Sequence, residues 1–376
     1  MTGAVRGAGV RGAGCAVVLS SAFFVLSSVP GFAQGRISHA RTETRSAAPG
    51  LEREVRAAAA RGGVTWIGYR VPMVAGPRQL CCVDTISDSS FPGGRCRLES
   101  GGGVSMNSGD LRDPRGARIT LEPATEFLVL ARLENGAVSR LRTFTPDCDV
   151  DATAMTLVWL NDVKPDESVA WLASLVISSP GAGDRHDRVG KTAMSAVALH
   201  NAPSADRVLE GFVAPAGPEW LRRETAFWLG HARGEAGARL LARMIAQDPS
   251  DTVRDKATFG LSVSKVPAAL TTLIATSRDD KSSRVRSQAL FWLAQKAGKE
   301  AVAVISNAID NDPETEVQKK AVFALSRLPK DEGVPKLIEV ARNNRNPDVR
   351  KQAMFWLGQS HDPRAVKFFE EILNRK

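Results

Sequence analysis

The stretch VRSQALFWL, Val285–Leu293, returns 64 residues later as VRKQAMFWL, Val349–Leu357, and related runs fill the 32-residue steps between and before them. Val189, Leu221, Val253, Val285, Val317 and Val349 each open such a run. Four residues on stand Ala193, Thr225, Ala257, Ala289, Ala321 and Ala353; eight on stand Val197, Leu229, Leu261, Leu293, Leu325 and Leu357. At about 100° per residue, offsets 0, 4 and 8 span only about 80° of a helix, so they predict one buried stripe. A second helix follows in the same register, with Leu209, Leu241, Leu273, Ile305, Leu337 and Phe369 as its apolar set. Four residues before these stand Ala205, Gly237, Ala269, Ala301, Gly333 and Ala365, small enough for a partner helix to approach closely. Asp248-Pro249, Asp312-Pro313 and Asn346-Pro347 punctuate the units. A 32-residue helical pair cannot bury both its faces alone, so six copies over 189–376 predict an α-solenoid.

Two further columns share this register. Phe227, Phe259, Phe291, Phe323 and Phe355 sit at offset 6, about 240° round the first helix and off its buried stripe. They are candidates either for packing between adjacent first helices or for contact with a partner, and they are the partner-binding candidates of this chain. At offset 7, Trp228, Trp292 and Trp356 alternate with Gly260 and Ala324, a 64-residue super-period that predicts interlocking large and small side chains. At offset 1 stand Arg222, Arg254, Arg286 and Arg350, with Gln318 interrupting. Such a column can bind phosphates, but Asp248, Asp280 and Asp312 recur at the same period, and no nucleic-acid partner is expected.

The pattern VRxxAxFxL resembles the HEAT-repeat family in its short bacterial version. The resemblance covers residues 189–376 and implies a solenoid that serves as a binding surface, with Arg222, Arg254, Arg286 and Arg350 and with Asp248, Asp280 and Asp312 forming a ladder that ties its units together. Two HEAT-like enzyme types offer a contrast: deoxyhypusine hydroxylase, which holds iron with His-Glu pairs, and phycobilin lyase subunits. This chain has no His-Glu dipeptide, and His39, His186, His200, His231 and His361 share no metal-ligand spacing. They read as surface or turn residues. Gly190-Lys191-Thr192 ends like a P-loop, but Arg185 stands where the motif needs glycine, and Ser105 lacks the following glycine of a nucleophile elbow. No catalytic residue, cofactor or metal is expected.

Ahead of the repeats the texture differs. Arg6 and Arg11 precede an apolar run, Cys15–Val29, with Gly31 and Ala33 suited to cleavage before Gln34. This predicts a signal peptide over 1–33, with an uncleaved anchor as the alternative. Residues 34–63, rich in Arg, Ala, Gly and Ser, read as a flexible linker. Over 64–177 short β-favouring runs (VTWIGYRVPMV, ARITLEP, TEFLVLARL) predict a β-rich domain, with Asn135-Gly136 as a tight hairpin turn. Residues 178–188 read as a second linker. Four cysteines, Cys81, Cys82, Cys96 and Cys148, fall in the β-rich region and suggest two disulfides in an exported chain. The adjacent pair Cys81 and Cys82 is expected to bond outward, each to one of Cys96 and Cys148, with the pairing open.

The chain of 376 residues is 43% hydrophobic, 24% charged and 6% aromatic, the composition of a folded protein rather than a disordered one. Its 50 Lys+Arg against 41 Asp+Glu give +9, too diffuse for a phosphate-tracking stripe. The fold class is therefore α+β in two domains: a small disulfide-containing β-rich domain, then an all-α solenoid of six helical hairpins. The arrangement resembles exported bacterial proteins that carry such repeats, and implies a non-catalytic scaffold or adaptor of the cell envelope with a protein partner. Alternatives are a metal or thiol-redox protein with its site at the four cysteines, and a HEAT-like enzyme of the hydroxylase or lyase type. The β-rich domain is expected either to cover the first repeat, where Val189, Met194 and Val197 are apolar, or to supply a second contact, while the polar tail Glu370–Lys376 caps the last.

Overall fold

The computed structural model describes residues 36–76, 79–83, 96–99, 103–107, 123–178 and 187–374. The expected signal peptide, the ARITLEP run up to Glu122, His186 and most of the second linker lie outside the described residues. The expected linker over 34–63 is corrected from Arg36 onward: it folds as β1 (Arg36–Ser38), β2 (Arg41–Ser46) and α1 (Leu51–Ala59). β2 reads RTETRS and has no apolar face of its own; it is a strand because it pairs in parallel along its whole length with a strand from residues 156–161. α1 buries Leu51, Val55 and Ala58, one helical face, and the Glu167 carboxylate accepts a hydrogen bond from the Leu51 N–H at 2.9 Å.

The strands that follow are β3 (Val64–Pro72), β4 (Gln79–Val83), β5 (Cys96–Arg97), β6 (Gly103–Asn107), β7 (Glu126–Glu134), β8 (Ala137–Phe144), β9 (Asp149–Asp151) and β10 (Thr156–Asn161). The main sheet has the order β2-β10-β3-β7-β8, with β10 parallel to both its neighbours and β3, β7 and β8 antiparallel. The β7–β8 turn is the expected one, with Asn135 and Gly136 at φ 52° and 79°. Both faces of this sheet are covered. Ile67, Tyr69, Phe127 and Val129 face the helices, whereas Trp66, Leu128, Leu130 and Trp159 face a second layer that holds β5, β9 and Cys148. Burial on two sides explains why β7 reads as an unbroken apolar run rather than an alternating one.

Helix α2 (Pro165–Ser178) lies against this sheet, and six helical pairs follow among the described residues: α3 (Arg188–Leu199) with α4 (Pro203–Phe212), α5 (Glu219–Ala232) with α6 (Gly234–Gln247), α7 (Asp251–Val263) with α8 (Pro267–Asp279), α9 (Ser283–Ala297) with α10 (Val302–Asn311), α11 (Thr315–Ser326) with α12 (Lys330–Asn343), and α13 (Pro347–Gln359) with α14 (Pro363–Leu373). From Leu221 onward the positions at offsets 0, 4 and 8 are all buried; only Val189 is half-buried. In the second helices Leu209, Leu241, Leu273, Ile305 and Leu337 are buried, but in α14 it is Phe368 that points inward and Phe369 that is half-buried. The small residues set the helix spacing. A Cβ on Gly237 would lie 2.0 Å from the Leu229 carbonyl oxygen, and one on Gly230 would lie 1.8 Å from that of Gly260 in the next repeat. Gly230→Ala should therefore push α5 and α7 apart and cost about 1–3 kcal/mol, the usual range for overpacking, as measured by urea unfolding.

The two halves do not form separate cores. Apolar side chains of α1, the sheet and α2 run without a break into all six repeats. The turn after α3 joins the sheet directly: Met73 and His200 form a β-bridge, the Val74 N–H donates to the Leu199 carbonyl (2.9 Å), and the Asn201 N–H donates to that of Pro72 (3.0 Å). Residues 193–199 of α3 are all buried, so the first repeat is covered by the β-rich half. At the other end the expected polar cap is corrected. Phe355, Val366, Ile372 and Leu373 are 54%, 58%, 38% and 83% exposed, because among the described residues no further helix packs on α13 and α14.

Candidate functional site: an aromatic seam along the first helices

Four of the five Phe of the offset-6 column, Phe227, Phe259, Phe291 and Phe323, lie between successive first helices and are half-buried, whereas Phe355, on the last of these helices, is exposed. Their rings connect with the Trp set into a continuous series. Phe227 stacks on Phe259 at 5.7 Å, and Phe291 on Phe323 at 5.9 Å. Between these pairs Phe259 meets Trp292 and Phe323 meets Trp356, each at 4.9 Å. Within a helix, Phe227, Phe291 and Phe355 meet their neighbouring Trp edge-on at 5.0, 4.8 and 5.0 Å. Such offset-stacked and edge-on pairs are the favoured arrangements of aromatic rings. Where a first helix carries Gly260 or Ala324, the Trp of the next helix meets the Phe beside that small residue, so the structure has the 64-residue period of the sequence. The indole N–H groups of Trp292 and Trp356 are buried without an acceptor among the described residues.

The offset-1 arginines do different work. Arg254 donates from Nε and Nη2 to the two oxygens of Asp280 (2.9 and 3.1 Å), and from Nη1 to the carbonyls of Asp248 (3.0 Å) and Pro249 (3.3 Å). One guanidinium thus ties the turn before its own repeat to the turn after it. Arg222 makes the same fork to Asp248, and Arg286 to Asp312, with Nε distances of 2.7 and 2.8 Å. These guanidinium groups are buried and forked onto carboxylates, which leaves no open column of cations. Gln318 keeps both directions without charge, donating from Nε2 to the Asp312 carbonyl (2.9 Å) and accepting at Oε1 from Asn346 Nδ2 (3.3 Å), whereas Arg350 bonds backward, to the carbonyls of Asn344 and Arg345.

Cys81 and Cys148 form a disulfide, and Cys96 is buried in the second layer of the β-rich half. The side chain of Cys82 lies outside the described residues. No group of His, Cys, Asp and Glu that could hold a metal occurs among the described residues.

One arrangement that sequence reasoning missed looks catalytic at first sight. His200, expected at the surface, is fully buried, with Nε2 2.9 Å from the Ser168 Oγ, which is in turn 2.9 Å from the Tyr69 hydroxyl. Its Nδ1 lies 2.6 Å from the Ala196 carbonyl, which can only accept, so the neutral ring protonates Nδ1 and accepts at Nε2 from Ser168. Ser168 and Tyr69 are as buried as the histidine, so the three side chains clamp sheet, α2 and α3 together in the interior. Their spacing across 69, 168 and 200 gives no local motif, so only the fold reveals them.

With this geometry in view, comparison with known proteins places the repeats. Residues 270–353 and 302–376 match the family model for HEAT repeats. No curated protein matches the chain significantly. Similar solved structures include YibA of Escherichia coli (24% identity, TM-score 0.33, 49% of this chain and 68% of that one). Human deoxyhypusine hydroxylase in complex with glycerol is another (16%, 0.29, 56% and 91%), as is the complex of CpcE and CpcF of phycocyanin lyase from Nostoc (17%, 0.29, 55% and 81%). Scores this low carry no functional argument. The repeats of residues 270–376 are HEAT repeats.

Proposed function

We propose that this protein is a non-catalytic scaffold of the cell envelope that, after export, binds a protein partner along its first-helix face. The observation that carries the reading is the aromatic seam, which runs the length of repeats two to six and ends in Phe355, 54% exposed. Half-exposed aromatic rings in an extended row supply large contact area at low conformational cost. HEAT repeats commonly mediate protein interaction, and among the described residues no helix is long and apolar enough to cross a membrane.

The test is site-directed photocrosslinking in the native cell. A photoreactive phenylalanine at position 355 should capture a discrete envelope protein, and the same group at Val366, exposed on the second helix, should not. The Phe259→Ser variant should weaken capture at 355 at least about tenfold, the loss of one aromatic anchor, while its circular dichroism stays native. Capture at 366 alone, or capture at 355 that ignores Phe259→Ser, overturns the assignment of the face.

A further inference from the structure

The seam stops short of the first repeat. Where α5 carries Phe227, α3 carries Ser195, and where α5 carries Arg222, α3 carries Gly190. A hollow of about 210 Å³ opens there, walled by Gly190 and Met194 of α3 on one side and by Trp220, Glu224, Phe227 and Trp228 of α5 on the other. The four α5 residues stand at i, i+4, i+7 and i+8 and so share one helix face. The volume falls below the ~300 Å³ at which sites for drug-sized ligands begin, so the hollow suits a single head group or side-chain end.

Its chemistry is specific. Three aromatic residues and a thioether line it together with two carboxylates, Glu224 and Asp187, against one ammonium, Lys191. Asp187 is only 7% exposed, and its Oδ1 accepts from the Gly190 N–H at 2.7 Å. That bond folds the carboxylate over Gly190 so closely that a Cβ there would lie 2.1 Å from Oδ2. Glycine at 190 thus keeps the wall open and the buried carboxylate in place. Aromatic faces attract organic cations and carboxylates add to that attraction, whereas an anion meets repulsion from both and a neutral apolar group gains burial alone.

We infer that this hollow is a binding site for an organic ammonium group. The inference is independent of the scaffold reading, since such a ligand binds with or without a protein partner, and Phe355 lies four repeats away. Two sources share this chemistry, a free quaternary ammonium compound and the ammonium of a lysine side chain.

The experiment is calorimetric titration of the intact chain with choline, with its neutral isostere 3,3-dimethyl-1-butanol, and with Nα-acetyl-lysine amide. The indole N–H resonances of Trp220 and Trp228 are followed in parallel. Choline should bind at least about fivefold tighter than the isostere, the preference that a partly exposed cation–π contact gives, and should shift both resonances. Tighter binding of the lysine derivative than of choline assigns the site to a side-chain ammonium; the reverse assigns it to a quaternary one. Trp220→Leu should abolish binding. Glu224 is exposed, so Glu224→Gln keeps the fold and should weaken choline about threefold without affecting the isostere. An isostere that binds as tightly as choline, an unchanged choline affinity in Glu224→Gln, or a lack of shifts at both indoles overturns the inference.

Discussion

Replacing Asp280 with Ala is expected to destabilise the protein by about 3–5 kcal/mol, the cost of leaving one partner of a buried ion pair without the other. Arg254 and Asp280 have side chains only 3% exposed each, so water cannot replace the lost carboxylate. Asp280 also accepts from the Ser282 N–H at 2.8 Å, and its loss frees the turn that starts α9. A combined Arg254→Met and Asp280→Ala variant should recover most of that loss, because the cost lies in the uncompensated charge rather than in the missing attraction. Stacked repeats need not unfold as one unit, so urea denaturation is best read alongside amide exchange. Exchange should quicken first in α7, α8 and α9. If Asp280→Ala and the double variant melt alike, the ladder is not a charge-compensated structure. By contrast, the fifth repeat should tolerate charge changes: Gln318 already replaces the arginine there, and its amide accepts from Asn346 at 3.3 Å.

Stability should also fall by about 3 kcal/mol between neutral pH and pH 4 through His200 alone. Burial holds the imidazole down to about 4, from an ordinary 6.5, with the nearby Arg233 guanidinium adding to the effect and the bond to the Ala196 carbonyl opposing it. The unfolded chain therefore takes up a proton on this residue as pH drops through 6.5 while the folded chain does not. The native state is favoured in full above that value and loses the advantage progressively down to about pH 4. A protonated ring would donate at Nε2, and the chain Tyr69 to Ser168 to His200 would have to reverse its direction among buried groups. His200→Gln should flatten the slope of stability against pH in this window while lowering stability at pH 7. An unchanged slope would place the acid sensitivity elsewhere.

The solenoid was legible because its constraint is local and repeated. Each first helix must bury offsets 0, 4 and 8, and six copies of that demand leave a register that Val253, Ala257 and Leu261 state as clearly as any other unit. The hairpin at Asn135-Gly136 was legible for a similar reason, since its backbone requirement falls on two adjacent residues. β2 was not, because RTETRS becomes a strand only through a partner more than a hundred residues away. His200 escaped for the same cause: its partners come from β3 and α2, and a lone histidine in sequence carries no sign of them. The Phe column lay between the two outcomes. Its angle off the buried stripe was readable, but a seam position that is half covered by the neighbouring Phe or Trp is fixed only by the distance between successive first helices, which Gly230 and Gly260 set for α5 and α7.

The alternation of Trp with Gly260 and Ala324 gives the array a grammar of pairs. A single 32-residue unit inserted between α8 and α9 would bring two bulky or two small positions side by side, crowding the seam or leaving a void in it. A 64-residue insertion would preserve every ring contact. Growth or shortening of this array by recombination is thus expected to succeed in even steps, and a ruler built from it would be marked in double repeats.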